Sequence, residues 1–136
     1  MEVINQVIRT DEDLQALVDR GIEGAVAMVH LLRFRDRAVY ADDRETDLTG
    51  AQAYALYRER LVEQVTVAGG RLVFRGAVRH LVLGQVEELW DEVMVLEFPS
   101  AQTFVDIISA PQTAEWGVHR RAGLDGQLLI AATARD

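Results

Sequence analysis

The chain has 136 residues, the length of one domain rather than two. Its 14 basic residues, all arginine, stand against 22 acidic ones for a formal net charge of −8, and cysteine is absent. Without cysteine there is no thiolate nucleophile, disulfide or Cys-ligated zinc. Without lysine there is no Schiff base and no Walker-type phosphate lysine.

The arginines are spread from Arg9 to Arg135 rather than gathered into a patch. An acidic chain without such a patch repels a phosphate backbone, so no nucleic-acid partner is expected. No apolar run approaches the roughly 20 residues that span a bilayer, so no membrane partner is expected either. The opening Met1-Glu2-Val3-Ile4-Asn5 lacks a basic then apolar leader, and a cytoplasmic location is the simplest expectation.

Taken in chain order, residues 1–10 place Val3/Val7 and Ile4/Ile8 at helical spacing with little else to fix them. Thr10 or Asp11 caps a short helix striped by Leu14, Leu17 and Val18, which Gly21 and Gly24 stop. Residues 1–24 thus read as an N-terminal appendage, and 25–136 as a single domain. From Ala25 to Phe34 the chain is apolar without alternation, the pattern of a strand covered on both faces. The charged stretch Arg35–Leu48 reads as a loop. Thr49 then caps a helix over about 50–68 with Tyr54, Tyr57, Leu61 and Val65 on one stripe, ended by Gly69-Gly70.

Arg71–Leu83 reads as one long strand, with Gly76 marking a bulge or bend. A third strand spans Glu92–Phe98. Ser100 caps a helix bearing Phe104, Ile107 and Ile108, a helical piece covers 112–122, and Gln127–Ala134 is the last strand. The order β-α-β-β-α-β is the α+β ferredoxin-like arrangement, an antiparallel four-stranded sheet in the order 4-1-3-2. Two helices cover one face of such a sheet. The first and last strands are apolar on both faces, so a second copy is expected to cover the other in a homodimer.

Several segments together resemble one family. They are Met28-Val29-His30-Leu31-Leu32-Arg33-Phe34-Arg35 with Ala38 and Tyr40, then Gly50-x-x-Ala53-Tyr54-x-x-Tyr57, then Gly69-Gly70-Arg71-Leu72-Val73-Phe74-Arg75-Gly76. Trp90-Asp91-x-Val93, Phe98-Pro99-Ser100 and His119-Arg120-x-Ala122-Gly123-Leu124 complete the set. Across residues 25–132 this resembles domain-of-unknown-function family 1330, of the dimeric α+β-barrel superfamily. The resemblance implies a ferredoxin-like protomer that pairs through its sheet, and it implies no settled activity. The family's pattern usually carries Asn where this chain has His30, a departure that adds a group able to titrate.

His30 interrupts an apolar strand at its centre, where a polar side chain must be hydrogen-bonded or costs a few kcal/mol. Either it is a general base in a pocket on the sheet, or it is a satisfied histidine of the core or interface. Arg120 can clamp a ligand carboxylate, or pair with an acid such as Glu97. Tyr54 and Tyr57 face the sheet, where core packing is the better reading and a ligand contact the other. Trp90 is either a ligand wall or strand-end packing. His30, His80 and His119 lie on different elements without metal-ligand spacing, so neither a metal nor a cofactor is expected.

Two readings of function follow. In one, the chain binds a small organic molecule, with an anionic group for Arg120 to hold, or acts on it without a cofactor, in a pocket of His30, Tyr57, Trp90, His119 and Arg120, with His30 as the catalytic group. In the other it is a dimeric module that binds a metabolite or a protein without catalysis.

Overall fold

The computed structural model describes residues 2–136. The uninterrupted apolar run forms β1 (Val26–Phe34), which lies inside the sheet with β3 (Glu92–Phe98) on one side and β4 (Leu124–Ala132) on the other. β2 (Arg71–Ala77) completes the order β2-β3-β1-β4, and all three pairings are antiparallel. This is the ferredoxin-like α+β fold expected from the sequence, with the expected strand order.

Period-two alternation sorts the side chains by face. Val26, Met28, His30 and Leu32 of β1, and Glu92, Met94, Leu96 and Phe98 of β3, point to one side and are buried. Over them lies α2 (Gly50–Val67), whose Tyr54, Tyr57, Leu61 and Val65 are buried at helical spacing. Thr49 caps α2 through a capping box with Gln52, satisfying backbone N–H groups that the first turn leaves free.

α3 (Ala101–Ser109), capped by Ser100, and α4 (Pro111–Gly123) cover the rest of that face. α4 begins on Pro111, whose missing N–H costs nothing in a first turn. α2 and α4 meet at two glycines. A Cβ on Gly50 would overlap the Arg35 carbonyl, and one on Gly123 the Gly50 carbonyl. That close approach fixes the end of α4 over β4.

The opposite face has no layer over it. Val29, Leu31, Val93 and Val95 are half-buried there; Phe74, opposite Val95, and Ile130, opposite Val29, are exposed.

Three local expectations are corrected, and the path of residues 3–8, which the sequence left open, is settled. β2 stops at Ala77, opposite Glu92; Val78 makes one more backbone hydrogen bond, to the Asp91 carbonyl at 2.9 Å, and residues 78–90 form a loop with Val82 and Leu83 exposed. The irregularity of β2 lies between Leu72 and Phe74, not at Gly76. β4 starts at Leu124, directly off α4, and ends at Ala132. Residues 3–8 are not helical. Gln6 exchanges backbone hydrogen bonds with Gln127 at 3.1 and 2.9 Å, which lays the segment along the free edge of β4. The short helix that follows, α1 (Asp11–Asp19), carries the expected Thr10 cap and packs beside α3.

Candidate functional site

The buried side of α4 carries Thr113, Gly117 and Arg120, and the turn before its close contact with α2 sends Arg120 inward. The side chain ends up buried over the sheet, 7% exposed. One terminal nitrogen donates to the Val7 carbonyl at 2.7 Å and the other to Gln127 Oε1 at 2.7 Å. Both acceptors are neutral, and none of the ion pairs among the described residues includes Arg120. Burial, and then the nearby Arg9, lower its pKa, but a guanidinium stays charged at any ordinary pH. A buried cation without an anion is costly, because neutral acceptors repay only part of the lost hydration.

The guanidinium lines a cavity of about 320 Å³ between the sheet and the N-terminal segment. Val7, Leu14 and Leu17 form its lid side, and Met28, Phe104 and Leu129 its floor. Its charged groups are Arg120, Arg9 and Asp13. The Asp13 carboxylate accepts the Thr10 N–H at 2.8 Å in the cap of α1.

His30 is the neighbour of this cavity rather than part of its wall. It pairs across β1–β4 with Leu129 and follows Met28 on the same face, and both of those residues line the space. The ring itself is only 4% exposed, with Nδ1 bonded to the Met28 carbonyl at 3.0 Å. Burial holds its pKa at about 4, partly opposed by the backbone hydrogen bond and reinforced by Arg120 and Arg9. At neutral pH the imidazole is therefore uncharged.

Tyr57 packs under α2 against Tyr54, with ring centroids 5.5 Å apart, and is 2% exposed. His30, Tyr57 and Arg120 are all buried on the helix-covered side of the sheet.

Trp90 and His119 do not join them. Trp90 donates its indole N–H to Asn5 Oδ1 at 2.7 Å, tying down the N-terminal segment. His119 is on the outer side of α4, where Nδ1 and the Tyr40 hydroxyl are 2.7 Å apart and the rings meet edge to face. Burial, and then Arg44, lower its pKa. One turn geometry explains the split: His119 and Arg120 are adjacent on a helix and point about 100° apart. Of the five residues expected to share one pocket, only Arg120 lines this cavity; His30 lies beside it, Tyr57 is in the core, and Trp90 and His119 are elsewhere. The expected Arg120–Glu97 pairing is corrected as well, since Glu97 pairs with Arg71 at 3.3 Å.

Gln127, Arg9 and the Val7 carbonyl were not anticipated. Gln127 did carry a signal, being a polar residue on the helix-covered parity of the last strand. The Val7 carbonyl carried none, because backbone geometry has no residue type.

Fold and site together define a ferredoxin-like α+β protein with a small cavity built around one buried arginine. The family model described as "Domain of unknown function (DUF1330)" matches residues 44–134, and the chain belongs to that family. A crystal structure of the methylated RPA0582 protein is 33% identical, with 97% of this chain and 96% of that one covered at a TM-score of 0.87. A second crystal structure, of RPA0582 as a protein of unknown function from Rhodopseudomonas palustris, is 31% identical, with 98% and 99% covered at a TM-score of 0.85. No curated protein matches the chain significantly. No helix among the described residues is long and apolar enough to cross a membrane.

Proposed function

We propose that this chain is a homodimeric protein that binds a small organic anion at Arg120, without catalysing its conversion. The observation that carries the reading is the buried guanidinium at the wall of a cavity, satisfied by two neutral oxygens and by no carboxylate. An anion entering the cavity supplies the missing charge, and in a desolvated site a charge-assisted hydrogen bond contributes about 1.5–3 kcal/mol. Binding without chemistry is favoured over proton transfer because His30 is sealed from the cavity and bonded to its own strand. A general base must reach the proton it takes. Tyr57, buried against Tyr54, stands outside the cavity lining.

The dimer is supported by the uncovered face of the sheet, where Phe74 and Ile130 are exposed beside Val29 and Val95. Apolar surface of that kind, contiguous across four strands, is stabilised by a second copy.

The test is a thermal-shift screen of organic acids against the wild-type chain and Arg120→Gln. At least one acid raises the wild-type midpoint, as ligand binding to the folded state requires, and the shift disappears in the variant. If no acid shifts the midpoint, or if the shift survives Arg120→Gln, the binding reading is wrong. Light scattering at micromolar concentration gives twice the protomer mass; a monomer removes the dimer.

A further inference from the structure

The lining of the cavity says more than that its ligand is anionic. Its charged groups are two guanidiniums and one carboxylate, a surplus of a single positive charge. One carboxylate on the ligand balances that surplus. A second would be left facing Asp13, whose own negative charge is held in place by the α1 cap. Beside these charges stand Gln6 and Gln127, and the remaining lining is apolar, with Leu14 and Leu17 from α1, Met28 and Leu129 from the sheet and Phe104 from α3.

The apolar surface is also incompletely buried. α1 has no fully buried residue, and its Leu14 and Leu17 are half-covered across the cavity from the sheet. At about 320 Å³ the space is at the small end of small-molecule sites.

From these features we infer that the ligand is an amphipathic monoanion, a single carboxylate on an aliphatic or aryl tail. Its head group is held by Arg120 and Arg9, and its tail completes the apolar contact between α1 and the sheet. The inference rests on the Arg120 reading above and deepens it. The tail fills the space as side chains fill a core elsewhere, each methylene gaining from its removal from water. It also fixes α1, so the ligand orders the N-terminal segment as it binds.

The experiment titrates the full chain by calorimetry with decanoate, decan-1-ol and succinate, and follows hydrogen exchange of residues 11–19 with each. Decanoate binds one-to-one and at least about tenfold more tightly than either of the others, a margin of about 1.4 kcal/mol. Exchange in α1 slows with decanoate alone. Arg9→Gln, on the segment outside the core, weakens decanoate several-fold and leaves decan-1-ol unchanged.

If succinate binds as tightly as decanoate, the amphipathic class is overturned while anion binding at Arg120 stands. If decan-1-ol matches decanoate, or α1 exchange is unaffected by decanoate, the assignment of head and tail is overturned. If none of the three binds, this inference fails. The acid screen with Arg120→Gln then decides separately whether the broader reading fails with it.

Discussion

Two buried charges lie under the same helices at opposite sides of the sheet, and they are treated differently. Glu92, on β3 beside β2, is 7% exposed and lies between two guanidiniums, Arg75 at 3.1 Å and Arg58 at 3.8 Å. Arg120, over β4 on the far side, is as deeply buried but is met only by a carbonyl and an amide oxygen. The first charge is compensated by the chain's own side chains. The second is not. This contrast, more than the cavity by itself, is what supports the binding reading of Arg120 proposed above.

The contrast predicts opposite behaviour on neutralisation. Glu92→Gln leaves two guanidiniums facing each other across a nearly buried amide and should destabilise the fold by about 3 kcal/mol. Urea unfolding measures it as a lower midpoint at unchanged slope. A loss below about 1 kcal/mol would mean that solvent already compensates Arg58 and Arg75, and the contrast would collapse.

His30 supplies an intermediate case, a buried polar group that is neutral because it has given up its proton. Its folded pKa of about 4 lies below the ordinary 6.5, so between those values the unfolded chain holds a proton that the folded chain does not. Its contribution is full above pH 6.5 and falls as the pH drops toward 4, by roughly 3 kcal/mol in total. The wild type should therefore lose more stability across that window than His30→Asn, and parallel curves would show that the ring is not sealed.

The smallest effect is expected at Arg120. Arg120→Met removes two hydrogen bonds but also an uncompensated buried cation, so unfolding free energy should change by less than about 1 kcal/mol. A loss above about 3 kcal/mol would make Arg120 a structural residue like Glu92.

Much of this architecture was legible in the residues, and the parts that were not share a cause. The long apolar run of β1, the caps at Thr10, Thr49 and Ser100, and the stripe from Tyr54 to Val65 are local patterns, and local patterns decide elements. The over-long second strand failed because strand length depends on the partner. Beyond Ala77 the pattern still reads as a strand, but β3 has already begun at Glu92.

The path of the N-terminal segment, left open by its spacing of Val and Ile, was not legible for a similar reason: the free edge of β4 sets it. Of the site, Tyr57 and Arg120 were legible as inward-facing groups. Their separation from His119 and Trp90 was not, because it depends on the rotation of α4 and on a distant asparagine. Glu92 could have been found. It has the same parity as Met94, Leu96 and Phe98, which places an acid on the covered face.

The pairing of Gln6 with Gln127 has a consequence beyond the cavity. β4 is an outer strand, and its unpaired backbone is the natural template for an incoming strand from another molecule. The N-terminal segment occupies part of that template with its own N–H and C=O groups. The same few residues thus wall the cavity and guard the molecule against edge-to-edge aggregation. Anything that steadies the segment therefore also keeps this part of the edge covered.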